Sequence, residues 1–124
     1  MSAVDVGIDD WEEEVLKSEN LVLVDFWHER CVWCKRLDPI FSEVAGEYGA
    51  KMKFAKLNVL SSQENQRLAA ENGVMGTPTL IFYCEGRSVG TVVGFQPKDR
   101  LRQLVEDMLG KYKKCIVQST ELKT

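Results

Sequence analysis

A chain of 124 residues is one ordinary domain, long enough to bury roughly two thirds of its unfolded surface without disulfide staples. Its 16 basic and 19 acidic side chains leave a net charge of -3, which gives no general attraction for nucleic acid, and no stretch has the apolar length to span a bilayer. Neither nucleic acid nor a membrane is therefore an expected partner, and the acidic opening decapeptide, without the positive charge or apolar run of a signal peptide, points to a cytoplasmic protein.

Asp9 to Lys17 reads as an acidic-faced helix, and Leu21 to Trp27 as a near-continuous apolar strand covered on both faces. Cys34 to Tyr48 carries helical periodicity, with Pro39 inside it as an expected kink, and Met52 to Val59 is a second central strand. Strand, helix and strand in that order imply a right-handed parallel crossover. Gln63 to Glu71 is a shorter helix ended by Asn72-Gly73. Thr79 to Cys84 and Ser88 to Val93 form an antiparallel pair around Glu85-Gly86-Arg87, and Lys98 to Lys113 is an amphipathic helix. The sum is an α/β fold, a central mixed β-sheet flanked by helices on both faces. Residues 1–124 are expected to form a single domain with a core of about 8–110, and 115–124 to be a helix extension or loose tail.

The four cysteines are spaced as one tight pair, Cys31 and Cys34, and two distant singles, Cys84 and Cys115. That is a poor match for a secreted disulfide framework. Cys31 stands where a buried strand gives way to a helix, so unpaired N–H groups and the helix dipole there stabilise a thiolate, and a thiolate is a nucleophile. Cys34, one turn in and facing inward, is the shielded thiol. Cys84 and Cys115 are expected to be small buried or peripheral thiols; a regulatory or dimer-forming bond through Cys115 is the lesser alternative.

In this setting the chain resembles the thioredoxin family. The resemblance runs from Ile8 to about Leu109 and rests on separated signatures in order: Val24-Asp25-Phe26-Trp27, Cys31 and Cys34 followed by Lys35, Pro39, Lys56-Leu57-Asn58, Gly76-Thr77-Pro78-Thr79, and Val93-Gly94. It implies a thioredoxin fold and a dithiol that reduces protein disulfides, with Cys31 attacking and Cys34 resolving the mixed disulfide. It implies, as partners, disulfide-containing client proteins and a thioredoxin reductase-type electron donor, with no bound cofactor and no metal; a monomer is expected. Two departures bear on potential and client range. The family's general reductants carry Trp-Cys-Gly-Pro-Cys where this chain has Arg30-Cys31-Val32-Trp33-Cys34, and His28 stands where a small residue is usual.

Asp25 interrupts an apolar strand, where an ionised carboxylate costs several kcal/mol unless paired or protonated. It is expected to pass a proton to or from Cys34, with Lys56 on the neighbouring strand modulating it; the plainer alternative is a satisfied Asp25–Lys56 ion pair. The resemblance makes Thr77-Pro78 a cis bond that turns the Thr77 backbone toward the dithiol, free to pair with an extended client segment. Trp27, Trp33, Gly76, Gly94 and Phe95 would rim the site as an apolar client-binding patch, and His28 could raise the thiolate content of Cys31. Because Trp33 has the N–H that proline lacks, it is expected to donate to the Cys31 sulfur and make this dithiol more oxidising than a Gly-Pro relative. Two other classes of function compete. A metal-binding module would use Cys31, Cys34 and His28 but lacks further ligands at suitable spacing, and a redox-silent binding or chaperone protein would have no use for the dithiol.

Overall fold

The structure is a computed structural model and describes residues 3–115. Five strands, β1 (Val4–Val6), β2 (Val22–Trp27), β3 (Lys53–Asn58), β4 (Thr79–Cys84) and β5 (Arg87–Val93), form one sheet in the order β1-β3-β2-β4-β5. β1 and β2 lie parallel to β3, while β4 runs antiparallel to both β2 and β5. The helices are α1 (Val32–Tyr48), α2 (Gln63–Glu71) and α3 (Lys98–Lys111). The thioredoxin fold expected from the resemblance is the fold observed.

Strand alternation sorts the interior into two layers. Leu21, Leu23, Phe54, Leu80 and Phe82 point to the side covered by α1 and α3, where they meet Leu37, Phe41, Leu101 and Val105. Val22, Val24, Phe26, Leu57 and Ile81 point to the other side, under α2 and the N-terminal segment, where Trp11, Val15 and Leu68 close the layer. The parity fixes the site, because Asp25 and Lys56 share the odd and even registers of Leu23 and Phe54 and so lie beneath α1. Pro39 sits inside α1, which continues through it.

The N-terminal region differs from expectation. The helix read over Asp9 to Lys17 is a shorter π-helical turn, Glu12–Leu16, entered through buried Trp11. Ahead of it, β1 pairs Val4, Asp5 and Val6 with Ala55, Lys56 and Leu57, which makes β3 an interior strand. Three residues are too few for alternation to register, so this strand had no signal in the sequence. Between β4 and β5 the chain reverses through Glu85 and Gly86, both at positive φ (55° and 79°), the signature of a type I′ hairpin.

The other end differs more. α3 stops at Lys111 and a short 3₁₀ turn, Lys113–Cys115, brings Cys115 into the core, fully buried, where its carbonyl accepts from Leu21 N–H. There Cys115 is disulfide-bonded to Cys84, with Cα atoms 6.0 Å apart. The two cysteines are therefore not the unpaired thiols expected, and the core reaches beyond 8–110 at both ends; the expected tail after Cys115 lies outside the described residues. A bond spanning a separation of 31 residues restricts the unfolded chain by about 3 to 4 kcal/mol on a loop-closure estimate. The oxidised double variant Cys84→Ala/Cys115→Ala is expected to lose about that much in guanidinium unfolding without reductant. A loss below about 1 kcal/mol would show that this bond contributes little to the fold.

Candidate active site

β2 ends at Trp27, and four residues later Cys31 (φ -91°, ψ 111°) caps α1 in an extended conformation. Its sulfur takes the part a Ser or Asp oxygen plays at most helix starts, accepting from Cys34 N–H at 3.1 Å. Cys31 N–H donates to the His28 carbonyl, which closes the turn before the helix. The two sulfurs are bonded, with Cα atoms 5.2 Å apart; Cys31 is partly accessible, and Cys34 is buried at 3 % exposure. When the bond opens, a thiolate on Cys31 meets the helix dipole and an N–H already aimed at it, while Cys34 is covered. The donor observed is Cys34 N–H; the Trp33 N–H expected from the sequence makes no hydrogen bond to the Cys31 sulfur in this disulfide form.

Asp25 is 1 % exposed, and its Oδ1 has no hydrogen-bond partner among the described residues. Burial pushes its carboxyl up to about 7; Lys56 pulls it down and Asp38 pushes it further up. Lys56 is not its ion-pair partner. The Lys56 ammonium pairs with Asp38 and lies 4.7 Å from the ring centroid of Trp27. The satisfied Asp25–Lys56 pair, the plainer reading of the sequence, is not formed, so the buried carboxyl stands unpaired under α1. Asp38 went unnoticed in the sequence because nothing local distinguishes a charged residue before Pro39 from a solvated one.

Two loops complete the surroundings. The Thr77–Pro78 bond is cis, Pro78 is buried, and its carbonyl accepts from Gly94 N–H at 2.8 Å, tying the loop before β4 to the end of β5. Gly94 has φ +96°, a conformation that side-chain-bearing residues rarely adopt. Thr79 Oγ1 donates to the Gly76 carbonyl at 2.6 Å, leaving Gly76 exposed. Trp33 is 53 % exposed, packed between Phe95 (centroids 5.6 Å apart) and the Arg36 guanidinium, 5.0 Å from its ring. His28 Nδ1 accepts from Arg30 N–H at 3.2 Å, and the ring lines an apolar groove of about 310 Å³ with Leu60, Val74, Met75 and Thr77. The imidazole itself makes no hydrogen bond to Cys31 among the described residues.

The sequence reading missed part of the apolar rim. Met75 is 99 % exposed, and Val32, Leu60 and Val93 are exposed as well. Met75 could have been found, since it directly precedes Gly76-Thr77-Pro78 and no helix or strand claims it; Leu60 and Val93 come to the same end of the sheet only through the fold. Among the described residues no group of three or more His, Cys, Asp or Glu side chains is arranged to hold a metal ion.

Comparison with known proteins agrees with this geometry. The thioredoxin family model matches residues 3–107. A thioredoxin of Bacillus subtilis is 44 % identical over 92 residues, covering 74 % of this chain and 86 % of its own. One from Staphylococcus saprophyticus is 39 % identical over 109 residues, covering 88 % of this chain and all of its own, and one from Pseudomonas aeruginosa is 40 % identical over 96 residues, with 77 % and 86 % covered. With a helix-capping Cys31 bonded to Cys34 at the place where this fold carries its redox pair, the chain belongs to the thioredoxin family and is a thiol-disulfide oxidoreductase.

Proposed function

We propose that Cys31 is the attacking thiol, Cys34 the resolving thiol, and Asp25 the group that takes the Cys34 proton. In the reducing direction the Cys31 thiolate attacks a client disulfide, forming a Cys31–client bond and releasing the first client thiolate. Cys34 then passes its proton to Asp25 and attacks the Cys31 sulfur; the second client thiolate leaves and the Cys31–Cys34 bond closes. Two electrons pass from the dithiol to the client, and a thioredoxin reductase-type donor returns them. One observation carries the assignment: the partly accessible Cys31 caps a helix with a sulfur that already accepts an N–H, whereas Cys34 is buried on the face of the sheet that holds an unpaired carboxyl.

The client lies across the rim in this reading. Trp27, Trp33, Gly76, Gly94 and Phe95 contact it together with Met75 and Leu60, and the Thr77 backbone, which makes no hydrogen bond among the described residues, pairs with an extended client segment. His28 modulates the site by shaping the groove, and Lys56 by its charge. No helix among the described residues is long and apolar enough to cross a membrane. We place the protein in the cytoplasm as a monomeric, single-domain reductant of the cell's redox balance, without nucleic-acid or membrane partners. The Cys84–Cys115 bond weighs against a reducing compartment, and burial of both sulfurs shields it.

Alkylation of the reduced protein at mildly acidic pH, mapped by mass, tests the assignment. Cys31 is expected to label first by a wide margin, with Cys34 protected. First labelling of Cys34 would reverse the roles.

A further inference from the structure

Asp25 and Lys56 are register partners on adjacent parallel strands and lie on the same face of the sheet. Opposite charges so placed, on strands about 4.8 Å apart, ordinarily pair. Here they do not. Lys56 Nζ turns to Asp38 Oδ1 and to the Trp27 ring, and Asp25 Oδ1 is left without a partner. Asp38 lies four residues beyond Cys34 and so one turn along the same side of α1. Its side chain is 48 % exposed against 17 % for Lys56, so the ammonium is drawn outward. With Trp27, Glu29, Cys34, Lys35 and Asp38, Lys56 lines a cleft of about 200 Å³.

We propose that Asp38 is a positioning residue: it holds Lys56 in the lining of this cleft and off the buried carboxyl, which keeps Asp25 an unpaired base for Cys34. The consequence for catalysis rests on the proton-transfer reading given above. A base works best when its pKa lies near the working pH, and an ion pair with Lys56 would hold Asp25 as a weakly basic carboxylate. The charged and titratable groups around Asp25 are few. β3 offers Lys56, and α1 offers Cys34 and Asp38, with Lys35 and Glu29 at the cleft; β4 sets the uncharged Leu80 opposite, and α3 covers this face with apolar Leu101 and Val105. Of the two groups that bear on its charge, Lys56 favours the carboxylate and Asp38 opposes it.

The test is a cycle of Asp38→Asn, Lys56→Met and the double variant, all in the disulfide form so that Cys34 does not titrate. The Asp25 carboxyl is followed by carbon NMR. Asp38→Asn is expected to lower its apparent pKa by about one unit or more, because Lys56 can then reach it, and to change little when Lys56 is already Met. No shift in Asp38→Asn overturns the proposal. So does an equal shift with and without Lys56, which would make Asp38 a through-space charge and not a tether. Stopped-flow resolution of a mixed disulfide supplies the second readout, and its acid limb should move with the NMR titration. An NMR shift that depends on Lys56 beside an unmoved acid limb upholds the tether and removes the proton-transfer role of Asp25 instead.

Discussion

Cys31→Ser is expected to reduce insulin disulfides no faster than buffer, a loss on the order of a thousandfold or more, because the hydroxyl that replaces the thiolate cannot open an S–S bond. Cys34→Ser should fail differently. The capping sulfur and its dipole environment remain, so the first attack proceeds and the reaction stops at a Cys31–client disulfide, which non-reducing gels and mass spectrometry would capture. The contrast follows from the geometry, in which Cys31 is partly accessible at the helix start and Cys34 is buried one turn in. Absence of a client adduct on Cys34→Ser, or trapping through Cys31→Ser, would sink the division of labour.

Asp25→Asn is expected to stabilise the oxidised protein above neutral pH and to slow resolution of the mixed disulfide. Burial raises the carboxyl in the folded state to about 7 from an ordinary value of 3.8, so the folded chain binds the proton more tightly than the unfolded chain does. Stability therefore falls as pH rises between those two values and levels off above the higher one. About three pH units at about 1.4 kcal/mol each put the full effect near 4 kcal/mol, an upper estimate. The variant's advantage should be small at about pH 4, where the wild-type carboxyl is mostly neutral, and largest at about pH 8. Guanidinium unfolding across that range measures it, and a variant no more stable than wild type on the alkaline side would show that Asp25 is not held under strain by burial. An ionised group kept unpaired at this cost is explicable by use, because a carboxyl near 7 can exchange a proton with a thiol at working pH.

The elements nearest the site were legible because their signals are local. An apolar run into a C-x-x-C, then helical periodicity, placed the redox pair at a strand-to-helix junction, and α2 and β4 follow the bounds read from the chain. The N-terminal segment and the last helix were less legible: β1 is shorter than one cycle of a useful pattern, and the π-helical turn over Glu12–Leu16 is held by burial of Trp11 and Val15 more than by its own periodicity. Asp25 announced itself as a carboxylate in an apolar strand, since desolvation cost depends on residue type and burial alone.

What the chain's own order of residues determined is therefore the kind of chemistry and its position: a cysteine pair beginning on a helix start, its second member shielded one turn on, and a buried acid on the preceding strand. The tertiary structure alone decided the pairings. Lys56 had two carboxylates within reach, and whether it chose Asp25 or Asp38 depends on how α1 lies across the sheet, which no local pattern encodes. Cys84 and Cys115 became partners because the 3₁₀ turn after α3 returns to the end of β4, a closure over 31 residues that spacing cannot reveal. Met75, Leu60 and Val93 form a rim because loops distant in sequence meet at one end of the sheet. Propensity and periodicity act between neighbours along the chain; partner choice is a competition in space, settled only once every element is packed.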